Sequence, residues 1–550
     1  MVEFIKKHSN LFTILGLLIF CYVIFFLGIG TYHLMDIDET RYVLMSRDMF
    51  HSKDFMTLYL NGEYFFEKPP LYFWGEVISF TLFGKVTELT ARFPVAIYGT
   101  LSTMLLYFVG QKVISRRYGI ISALILATSL EFLILAKYAI LDILLATCIE
   151  FAICLGFLTF FVKESNKKYC WWGFYLFTGL AVLAKGVPGV ALPVMTMFFV
   201  SIFSKKFKEI FRPQYFLVGL IIFALIVLPW HIVMLKTHNP LFYNEYVVKH
   251  HLARFLDSSQ VGRRQPWFFF MLTFLWGFCP WIFSGIAVFI TKIKYWFKKE
   301  SIRPLFATDK FNNLQKYLFF NFVAFVVIML FFSSSSTKLI TYILPIYFTA
   351  SNLVAWVWVR YISEGRYQKE IAIASYIFFG ILLFASIVAL FTPIFLPEKI
   401  YSYILPVKSF TITVMFFFGL LGLIFIKKQN RVAIFASYVG FFTVLSAFGI
   451  PKYFEMDYTF GQNDLMKYGK YALENNLKLK AINTGKHYSL NYYGPKEAYF
   501  LLVAPEDIQK TINNGDKDTL FIIRNKHIKQ TENLKFTTVD VGEKYTLLKK

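Results

Sequence analysis

Two short pieces of one polar loop hold most of the residues that could do chemistry. The first, MDIDETRYVLMSRDMF, crowds Asp38, Glu39 and Arg41 into one turn, with Tyr42, Met45 and Met49 spaced as an apolar helix face. Asp38 and Glu39 have two readings. They cap a surface helix that begins there, since acids favour a first turn, or they are carboxylates kept for general-base or electrostatic work. The second piece, LNGEYFFEKPPLYFW, sets Glu67 and Lys68 beside the stiff Pro69 and Pro70, among Phe65, Phe66, Tyr72 and Trp74. A solvated Glu–Lys pair is one reading. The other is an ammonium at a lipid interface that takes the phosphate of a membrane-anchored substrate.

Four further places carry polar groups beside apolar runs. Asp142 opens a run just after the turn KYAIL, as an interfacial cap or as an acid kept at membrane depth for function. His250, His251 and Arg254 stand in KHHLARF, where helical spacing puts imidazole and guanidinium on one face. The turn SSSSTKLITYILP supplies Lys338 and Tyr342, and AKGVPG supplies Lys185, a cation for lipid headgroups or for the site. No Gly-rich phosphate loop is present, which argues against a nucleotide-sugar donor.

These residues need a frame, and composition names it. Of 550 residues, 57% are hydrophobic and only 17% charged, too apolar for a soluble protein of this size. Apolar runs, most of them about twenty residues and long enough to cross ~30 Å of hydrocarbon, fall at 11–32, 91–111, 119–136, 141–162, 171–184, 188–203, 214–235, 268–290, 317–333, 339–359, 370–392, 409–426 and 432–450. This predicts an α-helical polytopic membrane protein of about 13 transmembrane helices. The first run lacks a small-residue cleavage site and reads as a span rather than a signal peptide.

Short basic loops set the orientation. Lys6 and Lys7, Arg116 and Arg117, Lys167 and Lys168, Lys205 and Lys206, Lys298 and Lys299, Arg366 and Lys369, and Lys427 and Lys428 occupy alternate connections, which places them in the cytoplasm. The N-terminus is then cytoplasmic, and loops 33–90 and 236–267 and the tail face outward, together with every candidate residue above. The formal charge of +23 is thus topological rather than a nucleic-acid footprint. The five cysteines are scattered in or beside the runs, without C-x-x-C pairing.

The expected division is a transmembrane unit, 1–450, and a soluble unit, 451–550. In the tail, helix-like stretches at 463–475 and 505–514 alternate with strand-like ones at 477–483, 519–523 and 536–541, which predicts a small C-terminal α/β domain. A transporter would set ionisable residues near mid-membrane in broken, repeated spans. Here the acids and cations gather outside, which disfavours transport.

The DExRY segment, FEKPPLxFW some thirty positions later and the span pattern resemble the aminoarabinose lipid A transferases, a GT-C-type glycosyltransferase group related to protein O-mannosyltransferases. The resemblance runs over nearly the whole chain and rests most on FEKPP following DExRY. HxxRF is matched by His251 and Arg254. K-x-P-x-Y is matched by Lys338 and Tyr342, with Ile340 where the pattern has proline.

It implies inverting transfer of a sugar, such as 4-amino-4-deoxy-L-arabinose, from undecaprenyl phosphate to lipid A or another envelope acceptor at the periplasmic face of a bacterial inner membrane. Asp38, Glu39 and Asp142 would be catalytic, and Lys68, Arg254, Lys338 and Tyr342 would bind the donor phosphate. Glu67 with His251 or His250 would hold a divalent metal, zinc among the candidates; a plain hydrogen-bonding histidine is the other reading. An O-glycosyltransferase acting on protein or another glycan is the alternative function.

Overall fold

The computed structural model describes residues 9–253, 265–298, 311–455, 461–495, 498–504, 507–514, 516, 518–531 and 536–549. Arg254 and the side chain of His251 lie outside the described residues.

The chain is a helical bundle whose apolar side chains face both inward and outward. Leu225, Phe384 and Ile394 are 70, 70 and 73% exposed on helices, a surface that only lipid would solvate. Among the described residues, seven helices are long and apolar enough to cross a bilayer, eight if the bent pair Phe269–Gly277 and Trp281–Lys292 is one span. Each expected run falls on helix, but several are interrupted or charged. Helix Glu164–Lys185 carries an acid in its first turn and a base in its last. The run 119–136 divides into Arg116–Ala127 and Leu130–Leu135. There Thr128 and Ser129 donate their hydroxyls back to the carbonyls of Leu124 and Ile125, and Leu130 N–H turns away to Cys279 O at 3.1 Å. Pro280, which cannot donate, accompanies the 115° bend between the paired helices.

The first loop folds back on the bundle. Helix Asp38–Ser52 is followed by the hairpin β1 (Tyr59–Leu60) and β2 (Glu63–Tyr64), then helix Leu71–Phe83. Asn61 and Gly62, both at positive φ, close the hairpin in the primed geometry that matches strand twist.

The C-terminal residues build a five-stranded sheet of β3 (Lys478–Ile482), β4 (Tyr499–Leu501), β5 (Thr519–Arg524), β6 (Thr537–Val541) and β7 (Tyr545–Lys549), in the order β4-β3-β5-β7-β6. β3 pairs in parallel with β4 and β5, while β7 runs antiparallel to β5 and β6. Helix Gln462–Glu474 covers one face with Leu465, Tyr468 and Ala472; Ile508 and Ile512 cover the other. The expected stretches 463–475, 477–483, 519–523 and 536–541 fall on these elements, and β4 and β7 were not anticipated.

Candidate active site

The site is assembled at helix ends. Helix Asp38–Ser52 starts at Asp38 with no side chain capping it. Asp38 instead takes the guanidinium of Arg41 at 2.7 Å, one turn on, and Arg41 lies 5.0 Å over the Tyr42 ring. Asp142 likewise opens helix Asp142–Leu158 without capping it, and its carboxylate pairs with Lys185. Lys185 ends helix Glu164–Lys185 because Gly186, at φ +84, turns the chain there. A Cβ on Gly189 would stand 2.3 Å from the Ala181 backbone, so only glycine lets the next helix return this closely. The Lys185 ammonium lies 4.6 Å from the centre of the Tyr342 ring. Asp142, Lys185 and Tyr342 thus form one column from three elements.

Tyr42 joins the column to the first loop. Burial raises its phenol above the ordinary value; Arg41 opposes this, and the charges of Asp38, Asp142 and Glu67 add to it. Glu67 Oε1 stands 4.0 Å from His250 Nε2, which is 3.5 Å from Glu245 Oε2. Lys68 is buried, its Nζ 3.3 Å from Glu67 O, and Pro70 leads directly into helix Leu71–Phe83.

Two sequence candidates are engaged otherwise. Glu39 is turned into the fold: its carboxylate accepts Arg92 Nε and Nη2 at 2.8 Å each, Met35 N–H at 2.8 Å and Ala139 N–H at 2.6 Å, with no exposed surface. Arg92 in turn donates to the carbonyls of Ile29, Tyr32 and His33. Lys338 is buried with its Nζ on Ser335 O at 2.5 Å, and burial lowers its pKa below the ordinary lysine value. The turn it ends leads into the 3-10 helix Ile340–Ile343, which carries Tyr342; Ile340 begins that helix at the position where the resembled pattern has proline.

The histidines sit on a π-helix, Tyr243–Ala253, whose wider turn shifts the face that α-helical spacing predicts. Tetrahedral zinc with bonds of about 2.1 Å holds two ligand atoms about 3.4 Å apart, so Glu67 and His250, at 4.0 Å, would have to draw closer to share one. Two donors do not complete a site, and no group of three such ligands forms among the described residues.

The Arg41–Asp38 pair, the Arg92–Glu39 pair and the pairing of Lys185 with Asp142 are features that sequence reasoning did not single out. An arginine at the start of an apolar run was the available signal for Arg92, because charge at membrane depth is kept for a reason.

Fold and site define a multi-pass helical membrane protein with a cluster of acids, cations and phenols gathered at helix ends. Residues 10–239 match the dolichyl-phosphate-mannose-protein mannosyltransferase family. Within that class the particular likeness is to the aminoarabinose transferases, and the resemblance read from the sequence is borne out. The chain is 26% identical over 386 residues to undecaprenyl phosphate-alpha-4-amino-4-deoxy-L-arabinose arabinosyl transferase 2 of Proteus mirabilis, covering 68% of this chain and 65% of that one. It is 28% identical to the Yersinia enterocolitica arabinosyl transferase, covering 62% of this chain and 58% of that one. The matched part thus spans less than two thirds of the length of these relatives. The crystal structure of ArnT from Cupriavidus metallidurans bound to undecaprenyl phosphate superposes with a TM-score of 0.79 at 20% identity, covering 97% of each chain, so the fold is shared.

Proposed function

We propose that this protein is an inverting glycosyltransferase that moves an amino sugar, 4-amino-4-deoxy-L-arabinose, from undecaprenyl phosphate to lipid A. The observation that carries the reading is the column in which Asp142 pairs with Lys185 and the Lys185 ammonium lies 4.6 Å from the centre of the Tyr342 ring. It is supported by the names of the relatives, two of which are undecaprenyl phosphate aminoarabinose arabinosyl transferases.

The chemistry follows from the leaving group. The anomeric C–O bond breaks as charge builds on the polyprenyl phosphate, and fixed cations lower that barrier. Lys68 and Lys185 supply the charge, with Arg254, Lys338 and the Tyr342 hydroxyl as further donor-phosphate contacts. A lipid A phosphate oxygen forms the new bond from the opposite face, which inverts the anomeric centre. That nucleophile is already anionic and needs no base, so Asp38 orients Arg41 and Asp142 orients Lys185. Glu39 acts as a clamp rather than as a catalyst. A divalent ion held by Glu67 with His250 or His251 would neutralise charge on the acceptor phosphate when bound.

In the membrane the chain makes about thirteen spans, as an inner-membrane protein with a cytoplasmic N-terminus and a periplasmic site. Residues 451–550 form a soluble periplasmic domain. The mannosyltransferase match over residues 10–239 favours a second reading, a protein hydroxyl as acceptor, for which Asp38 or Asp142 would be the general base. Purified protein, undecaprenyl-phosphate aminoarabinose and lipid A test the first reading. A sugar-sized mass gain on lipid A supports it; transfer only to protein hydroxyls replaces it with the second.

A further inference from the structure

Among the described residues, the C-terminal unit meets the rest of the chain through buried polar bonds at the start of the helix that carries Asp38 and Arg41. Ser489 donates its backbone N–H to Asp36 Oδ1 at 2.8 Å and its hydroxyl to Asp36 Oδ2. Thr40 shares the same carboxylate, and His487 Nδ1 stands 3.4 Å from it. Gln462 accepts Asp36 N–H at 3.1 Å and donates to Leu34 O at 2.5 Å. The Tyr493 hydroxyl accepts Leu34 N–H at 2.8 Å and donates to Glu88 at 2.9 Å. Farther along the helix, Arg47 donates to the carbonyls of Asn491 and Tyr492 at 3.3 Å each.

This junction is dry. The Asp36 side chain is 1% exposed and Ser489 is fully buried. A buried carboxylate that loses a donor pays its desolvation unrelieved, so Asp36 ties the two parts in one geometry. The helix that follows has no capping side chain of its own, which leaves Asp36 and its partners to fix where it starts. Next to Ser489, the phenol of Tyr488 is raised chiefly by burial and also feels the charges of Arg41 and Glu67, so the same segment borders the site.

We propose that Ser489 and Tyr493 are positioning residues: through Asp36 and Leu34 they hold the start of helix Asp38–Ser52 and thereby aim Asp38 and Arg41, a role that rests on the transfer reaction proposed above. Neither touches substrate. A reactive group displaced by about 1 Å can cost about a hundredfold in rate, so a partly loosened helix start lowers turnover without abolishing donor binding.

The test uses full-length protein in detergent, with undecaprenyl-phosphate aminoarabinose and lipid A as substrates. Ser489→Ala and Tyr493→Phe each lower kcat by about tenfold, with KM for the donor within about twofold of wild type, and speed hydrogen exchange at amides 36–44. Tyr468→Phe, which removes a 2.9 Å bond to Tyr545 O inside the C-terminal unit, changes neither. Unchanged kcat or unchanged exchange in both Ser489→Ala and Tyr493→Phe overturns the proposal, as does an equal kcat loss in Tyr468→Phe. Exchange is read without substrate. A wild-type chain that transfers no sugar therefore sinks the proposed function, while the exchange result still decides the positioning role.

Discussion

The Asp142–Lys185 pair is the most informative contact in the molecule. Its side chains are 10 and 13% exposed, too dry for a surface ion pair of negligible worth and too open for a sealed structural one. Under the proposed function an ammonium so placed would meet the donor phosphate, with Asp142 setting its direction. Asp142→Asn and Lys185→Met should each lower kcat/KM, and the double variant should lose far less than the sum, with a coupling of about 1–3 kcal/mol. Additive losses would mean that the two act separately. Glu76 offers a second test at this scale. It lies in the outer loop, accepts Tyr72 Oη at 3.0 Å and Ser46 Oγ at 2.5 Å, and burial pushes its carboxyl from 4.5 up to about 8. The folded state thus holds a proton that the unfolded chain releases, so this stability is full below about pH 4.5 and drains away as pH rises towards 8. Glu76→Gln should flatten the fall in melting temperature between pH 5 and 8; an unaltered slope would assign the pH dependence elsewhere.

At the level of elements, the clamp formed by Glu39 and Arg92 matters most. It gathers the end of the first span, the start of the loop helix and, through Ala139, the turn that leads to Asp142. Lys137 extends it, donating to Leu27 O and Ser446 O at 2.7 Å each, while its own carbonyl accepts the Tyr32 hydroxyl. Removing one partner of a buried ion pair strands a charge, so Arg92→Met should destabilise the protein by about 3–5 kcal/mol, and adding Glu39→Leu should recover much of it. A denaturation series on the two variants checks this; no recovery would mean that the pair holds the turn by its hydrogen bonds rather than by balancing charge.

The clamp also shows what the sequence withheld. DExRY marked the turn as polar and special, but local spacing does not reveal that Glu39 points inward and Asp38 outward, since that choice is made by Arg92, fifty-three positions away. Asp38, Glu67 and Asp142 were legible one by one from charge beside apolar runs. The pairing of Asp142 with Lys185, forty-three positions on, was not, because it depends on how the helices pack. The run 119–136 read as one span because hydropathy does not register the hydroxyls of Thr128 and Ser129 that break it.

For the whole molecule, basic loops and apolar runs predict a one-sided arrangement in which every candidate residue and the C-terminal sheet lie outside the cytoplasm. Alkaline phosphatase fused after residue 475 should be active and fused after residue 430 inactive; the reverse pattern would invert the topology. The buried bonds between the C-terminal unit and the first loop fit this arrangement, because both must lie on one side to meet. Under the proposed function a lipid-linked donor and a lipid acceptor would meet on that side, and Lys68, fixed before Pro69 and Pro70 and buried beside Glu67, would take the donor phosphate. The most direct test of this account is mass spectrometry of lipid A from cells that make undecaprenyl-phosphate aminoarabinose, with the wild-type protein or an equally expressed Lys68→Ala variant. A mass gain of one aminoarabinose on lipid A with the wild type and none with the variant is the predicted result; unmodified lipid A in cells that express the wild type would contradict it.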